Sequence, residues 1–523
     1  MSHFSCFRSS FGPKIACFIR TCCFRNSFGP KIACFIRTCF RFPLWVCLFY
    51  FITLSLVGFL ALSVSNTKNN LFKPNNLDLF FTSVSASTDS SMGTVEMEVF
   101  STTQLVIMII LMLMGGEVFM SMLSLQLMKS NFPKNSQSTS SKSVHQIELD
   151  LVSCSSYLEN NISINSSSTD VDDDILKYNS IKLLSYVVLG YLLVVHIGGS
   201  TLVALYLSVV PSAKQVMEKK GLPIQTFSVF TTVSTFSNCG FIPTNENMIV
   251  FNKNSGLLLI LIPQALLGNT LYPACLRLVI WVLKKTTKKV EFSYLLKNYR
   301  EIGYYHLLSG IHSCLLTATV LGFIVLQWVL FCFMEWNSEA MDGLNSYQKL
   351  VASLFEVVNS RYVGESVFDI SIISPAILVL FVVMMYLPPY TSFFPTRYRE
   401  SESKVKENKK KTFMEDLICS QLSYLITFII LVCITERQKL KEDPRNFSLL
   451  NITIEVISAY GNVGFTSGYS CNRRIRRDSS CDDKWYGFVG RWSNQGKWIL
   501  ILVMFFGRIK LFNFNGGQAW KLY

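Results

Sequence analysis

Ser91, Gly240, Gly364 and Gly464 hold the same place in four short stretches rich in Thr, Ser, Asn and Gly. Phe81 to Met92 reads FTSVSASTDSSM and Phe230 to Phe241 reads FTTVSTFSNCGF; laid together without a gap, they set Ser91 opposite Gly240. LFEVVNSRYVGES from Leu354 brings Gly364 to that place, and VISAYGNVGFTSG from Val456 brings Gly464. Glycine adopts positive φ or a mirror-β backbone without a Cβ clash, so such a segment can turn its carbonyl oxygens to a common axis. Rings of backbone carbonyls replace the hydration shell of a cation. Asp89, Ser90, Asn238, Cys239, Val363, Asn462 and Val463 flank the four positions. A lone glycine in an apolar chain is commonly a helix-packing contact. Four small residues at equivalent points of four repeats are not explained that way, and the chemistry they indicate is a cation pore.

Elements long enough to carry these loops surround them in pairs. Leu44 to Val64, Thr103 to Leu127, Ile181 to Val210, Gly256 to Leu283, Tyr304 to Phe333, Ile370 to Leu387, Leu417 to Ile434 and Trp498 to Phe512 are apolar. A hydrocarbon core of about 30 Å takes roughly 20 helical residues, so these are eight expected spans. The second is interrupted by Gly115-Gly116-Glu117. One loop falls inside each pair, and non-helical backbone at membrane depth is tolerated only when buried in protein or lining a wet cavity. The expected fold is all-α and polytopic: four membrane-helix, pore-loop, membrane-helix repeats in pseudo-fourfold arrangement around one pore. Expected boundaries are a leader at 1–41, repeats at 42–128, 181–300, 301–412 and 413–523, and an irregular link at 129–180.

Composition agrees. Only 16% of the 523 residues are charged and 50% are hydrophobic, against roughly 25% charged in soluble domains. The formal net charge is +14, with basic residues crowded into Arg8 to Arg41, Lys284 to Arg300 and Arg397 to Lys411, beside apolar runs. That is the pattern of cytoplasmic loops facing a bilayer, not of a nucleic-acid-binding face. HExxH, GxSxG, GxGxxG after a strand, GxxxxGK[ST] and CxxC are all missing. An enzyme, a resident cofactor or a zinc site is therefore not expected.

The leader is a tandem copy, CFRSSFGPKIACFIRTC at Cys6 to Cys22 and CFRNSFGPKIACFIRTC at Cys23 to Cys39. The link from Lys129 to Lys177 is Ser/Asn-rich, carries Asp172-Asp173-Asp174, and reads as disordered. Its sequons at Asn161 and Asn165 would be cytoplasmic, whereas those at Asn446 and Asn451 fall on the expected outside. Cys471 and Cys481 lie in a polar outer segment, where either a disulfide or two free thiols is open.

FFTSVSA, SSMGTVEMEVFS, the GGE at Gly115, STFSNCGFIPTNENM, GNTLYPACLRL, VVNSRYVGES, MYLPPYTSF, SAYGNVGFTSGYSC and FFGRIKLFNFNGGQAWKLY occur in that order from about Phe42 to Tyr523. In them the chain resembles the plant high-affinity potassium transporter (HKT) family, of the wider Trk/Ktr superfamily of cation transporters. The resemblance implies a selectivity filter at Ser91, Gly240, Gly364 and Gly464. Serine in the first loop with glycine in the others resembles the sodium-selective subfamily 1 type, so Na⁺ is the expected ion, with Na⁺/K⁺ symport or K⁺ transport as the rival. It also implies passive, channel-like transport, a plasma-membrane location with both termini cytoplasmic, and a homodimer in the bilayer. A scaffold or receptor without transport leaves the four loops unexplained.

Charged residues near the spans divide by partner. Asp89 departs from the apolar residue usual in the family there; it either attracts cations near the filter or partners a buried basic group. Arg508, by resemblance, faces the pore below the filter as a barrier; snorkelling to the interface is the competing reading. Glu117 and Glu365 are candidates to pair with Arg or Lys between repeats. Arg361 is expected to brace its loop, and His196 and His312 to be packed.

Overall fold

The computed structural model describes residues 43–68, 74–130, 165–392, 421–475 and 481–513. The duplicated leader, the Arg397 to Lys411 stretch, Asn161 and residues 514–523 lie outside them. All regular structure among the described residues is helical. Repeat 1 contains α1 (Pro43–Val64), α2 (Asn76–Ser87) and a broken second helix, α3 (Thr102–Gly115) with α4 (Glu117–Ser130). Repeat 2 contains α5 (Asn165–Val209), α6 (Ile224–Ser237), and the pair α7 (Ser255–Gly268) and α8 (Tyr272–Thr287). Repeat 3 contains α9 (Gly310–Glu335), α10 (Ser346–Tyr362) and α11 (Pro375–Tyr386). Repeat 4 contains α12 (Gln421–Thr435), α13 (Leu449–Gly461) and α14 (Asn494–Asn513).

Every expected span finds a helix, yet not eight uniform ones. Among the described residues, three are long and apolar enough to cross a membrane, and up to five if each bent pair is one span. α3 and α4 bend by 57° at Gly116, and α7 and α8 bend by 86°. α11 stops at Leu387, which takes extended angles before Pro388-Pro389, as a residue preceding proline must. α14 carries Lys497, Arg508 and Lys510. The link expected to be irregular up to residue 180 is already helical from Asn165, so the Asp172-Asp173-Asp174 run sits on α5.

Polar residues fix where the helices begin. Ser101 and Gln104 form a reciprocal cap on α3. The Gln104 amide also donates to the carbonyls of Leu62 and Ser65 at 3.0 and 3.2 Å, tying α3 to the end of α1. Asn345 and Gln348 cap α10 in the same way, and Ser448 accepts from the Asn451 N–H to start α13.

One packing rule repeats four times. Within each repeat the first helix packs on the short one: α1 on α2, α5 on α6, α9 on α10, α12 on α13. Between repeats the second helix packs on the short helix of the next: α3 on α6, α7 on α10, α11 on α13, and α14 back on α2. That closes the ring.

Ion pairs reinforce two of these seams. Lys220 Nζ lies 2.7 Å from Glu98 Oε1 and 2.6 Å from Glu246 Oε2, joining repeats 1 and 2. Burial draws this ammonium's pKa down, but hydrogen bonds to both carboxylates outweigh it and hold it above the usual lysine value. Lys497 Nζ lies 2.7 Å from Asp78 Oδ1, in the first turn of α2, joining repeats 4 and 1. Lys497→Met strands a buried carboxylate, so it is expected to cost about 3 kcal/mol, read as a lower thermal midpoint in detergent. An unchanged midpoint would show that the pair holds nothing.

Two sequence expectations on the polar loops are decided differently. Cys471 and Cys481 are disulfide-bonded, with Cα atoms 6.0 Å apart. Asn446 is closed to a glycan: its side chain is fully buried, and its amide donates to Asp443 Oδ2 at 2.9 Å and the Ser470 carbonyl at 3.0 Å. Asn451 is half-buried, and its amide donates to the Asn446 carbonyl at 2.8 Å.

Candidate functional site

The short helices α2, α6, α10 and α13 end in almost the same way. A backbone N–H reaches the carbonyl five residues earlier: Ser90 to Ser85, Cys239 to Ser234 and Val463 to Ser458, each at 2.9 Å, and Gly364 to Asn359 at 3.1 Å. Such a bond accompanies a helix closed by a left-handed residue. Asp89, Asn238 and Asn462 are those residues, with φ of 52°, 59° and 53°. Asn and Asp enter that region more readily than other side chains, which gives position 89 a backbone reason for its type. Repeat 3 differs. Val363, being β-branched, stays at φ −96° and ψ −43°, the helix winds one residue further, and Gly364 itself makes the closing bond.

Beyond the helix ends the chain turns again. Ser91, Gly240, Gly364 and Gly464 all have positive φ, at 50°, 85°, 80° and 101°. A Cβ placed on Gly240 would overlap the carbonyl oxygen of Val363, and one on Gly364 that of Val463. On Gly464 it would strike the Ser91 Cβ, with the Ser90 carbonyl oxygen 2.9 Å away. The Cys239 thiol lies against the backbone of Ser91. The four bends therefore follow one another in chain order, edge to edge, and close on themselves. Asn462 Nδ2 donates to Ser90 Oγ at 2.8 Å, adding a side-chain tie between the fourth and first.

Elements behind the bends hold them in place. Gly115, Gly268 and Gly507, on the second helices of repeats 1, 2 and 4, press against the carbonyls of Ser87, Phe236 and Tyr460. Each of those carbonyls lies four residues before its ring residue. In repeats 3 and 4 a fully buried carboxylate grips the segment leaving the ring. Glu356 accepts from the Val367 N–H at 2.8 Å and Ser366 Oγ at 3.1 Å. Glu455 accepts from the Ser467 N–H at 3.1 Å and from Thr466 Oγ1. Glu356 precedes Gly364 by eight residues and Glu455 precedes Gly464 by nine; the missing residue is the one that α10 absorbs. Sequence reasoning did not single out either carboxylate, though Glu455 as the one charge in LLNITIEVISAYGNVGFTSG was a signal.

The remaining charged candidates find partners inside the protein. Arg508 is 4% exposed and Asp89 1%; Arg508 Nη2 lies 2.8 Å from Asp89 Oδ2 and also donates to the Gly115 carbonyl. Among the described residues, no Arg or Lys lies within ion-pair distance of Glu117 or Glu365. Glu117 accepts from Tyr390 O–H at 3.1 Å, with His306 Nδ1 3.9 Å away, and Glu365 accepts from Thr235 Oγ1 at 2.5 Å. The short helix α6 brings the Thr235 hydroxyl to Glu365, and the segment after α11 brings the Tyr390 hydroxyl to Glu117. Arg361 donates to the carbonyls of Pro388 and Pro389 at 3.2 and 3.4 Å, tying α10 to the break after α11. His196 Nδ1 donates to the Leu192 carbonyl and the ring packs on Phe236, and His312 is half-buried.

Apolar helices arranged in four repeats about a closed ring of backbone bends define a multi-pass membrane protein organised around one axis. Residues 159–394 and 396–513 match the TrkH family, described as a cation transport protein; the chain belongs to that family and, within it, to the plant HKT branch. It is 52% identical over 465 residues to the sodium transporter HKT1 of Arabidopsis thaliana, covering 86% of this chain and 90% of that one. It is 49% identical over 486 residues to the cation transporter HKT1;3 of Oryza sativa subsp. japonica, covering 92% and 91%. Among solved structures, the potassium transporter TrkH of Vibrio parahaemolyticus aligns with a TM-score of 0.49 at 13% identity, covering 91% of this chain and 84% of that one.

Proposed function

We propose that the chain carries Na⁺ passively across the plasma membrane through the ring at Ser91, Gly240, Gly364 and Gly464, which acts as its selectivity filter. The observation that carries this reading is the ring itself: four positive-φ residues edge to edge, three of them glycines with no room for a side chain. Ser91 is the exception. Its Cβ and Oγ are the side-chain atoms facing Gly464, so one corner is bulkier and more polar than the others. A ring wide enough for K⁺ is spoiled at that corner, and the smaller Na⁺ is favoured. Asp89, the residue that left K⁺ transport or symport open, does not stand as a free carboxylate, because Arg508 engages it. Ser90, Cys239, Val363 and Val463 supply carbonyls or side chains next to the ring, Asn238 and Asn462 close their helices, and Arg508 lies beneath it in contact with Asp89. The basic links between repeats support cytoplasmic termini. A homodimer with one pore per chain completes the reading.

Ser91→Gly restores the fourth glycine and is expected to raise K⁺ permeability relative to Na⁺ by roughly tenfold, or ~1.4 kcal/mol. Reversal potentials in oocytes, with Na⁺ replaced by K⁺ outside, measure it. A mutant whose reversal potential does not move on that exchange removes Ser91 from selectivity.

A further inference from the structure

The Asp89–Arg508 pair joins the first loop to the last helix across 419 residues of sequence, and the backbone does not require its charge. Asn238 and Asn462 close α6 and α13 in the same left-handed conformation as Asp89, so an uncharged amide satisfies that turn. The carboxylate is therefore an addition at this corner. Its Oδ2 meets the Arg508 guanidinium at 2.8 Å, and both side chains are buried.

Among the described residues, Asp89 is the one carboxylate within ion-pair distance of Arg508. α1 offers it the face of Phe51 at 5.7 Å, and α3 offers the Gly115 carbonyl. On its own helix, Lys510 is a second cation, donating to the Tyr460 carbonyl at 3.0 Å. Glu117 accepts from Tyr390 O–H through Oε1, and its Oε2 has no hydrogen-bond partner among the described residues. Asp89 is two residues from Ser91, and Arg508 follows Gly507, which presses on Tyr460 beside Asn462. The pair thus sits where the first and fourth corners of the ring meet.

Resting on the filter reading above, we propose that Asp89 is a permeation-determining counter-charge. It cancels the field that Arg508 would otherwise project onto a cation at the junction of Ser91 and Gly464. An unopposed charge several ångströms away at an effective dielectric near 20 opposes a cation by roughly tenfold or more in occupancy; a contact pair presents only a dipole, whose field dies away faster. Throughput in this chain is then set by the pair, not by Arg508 alone.

The test is single-channel Na⁺ conductance in excised patches, which does not depend on how many molecules reach the surface, with surface biotinylation alongside. Asp89→Asn keeps the left-handed turn and unmasks Arg508, so conductance is expected to fall about tenfold. Asp89→Glu keeps the charge and is expected to fall far less. Arg508→Gln leaves a carboxylate under the ring and is expected to raise conductance. The double variant D89N/R508Q is expected to recover most of what Asp89→Asn loses. Wild-type conductance in Asp89→Asn, with fewer molecules at the surface, overturns the proposal and makes the pair a purely structural clasp. Altered conductance in Arg508→Gln with none in Asp89→Asn overturns it too, leaving Arg508 as a barrier that Asp89 does not temper. Failure of the filter reading is separate: there, Ser91→Gly leaves the reversal potential unmoved, whatever the pair does.

Discussion

Gly364→Ala is expected to abolish cation current, by more than tenfold, while the protein still reaches the membrane. Its φ of 80° costs an alanine about 1–2 kcal/mol before any contact is counted. The larger effect is positional. The new Cβ would overlap the Val463 carbonyl oxygen, a backbone atom of the next loop, and a backbone atom has no rotamer with which to step aside. Either the third bend flattens or the fourth is pushed off, and on the filter reading proposed above each outcome disorders the oxygens that would face the ion. Gly240→Ala meets the Val363 carbonyl and is expected to fail alike. Voltage-clamp current normalised to surface protein measures both. Wild-type current from Gly364→Ala would mean that this bend does not contact the permeating ion.

Glu356→Leu is expected to remove the protein from the membrane altogether. The side chain is fully buried, and its two oxygens serve the Val367 N–H and Ser366 Oγ just past Gly364. Leucine fills a similar volume but leaves the Val367 N–H without its acceptor and Ser366 Oγ with the Phe368 carbonyl alone. A buried donor left unsatisfied costs about 1–3 kcal/mol, so a loss of about 2 kcal/mol is expected, a large share of a typical 5–15 kcal/mol stability. Glu356→Gln retains one acceptor oxygen and should lose less. Surface labelling and the detergent-solubilised thermal midpoint distinguish the two; equal midpoints for Leu and wild type would show that Glu356 does not hold the segment.

How much of this was legible in the chain depends on the range over which each signal acts. The four loops were readable because a repeat leaves its pattern in local sequence, and the break at Gly115-Gly116 was readable because glycine pairs interrupt helices. The ungapped comparison set Gly364 opposite Ser91, Gly240 and Gly464. It missed that repeat 3 ends its helix one residue later, since that shift comes from Val363 refusing a left-handed turn. Asp89 and Arg508 each stood out as a buried charge, yet nothing local reveals that residues 419 apart in sequence meet. Glu117 and Glu365 were read as seeking cations because burial of a carboxylate was weighed without the hydroxyls of Tyr390 and Thr235, which three-dimensional packing supplies. Asn446 matched a sequon in pattern, and only its burial excludes it. The rule by which each second helix supports the next repeat's short helix is a property of closure, so no single repeat displays it.

All four corners are encoded by one polypeptide, and each rests on a neighbour of different sequence. In an assembly of identical subunits, one coding change would be stamped on every corner at once, and its effect on ion choice would be all or nothing. Here heredity can adjust the aperture a quarter at a time. Ser91 is one such quarter step, and Gly240, Gly364 and Gly464 are three more that variants can take independently.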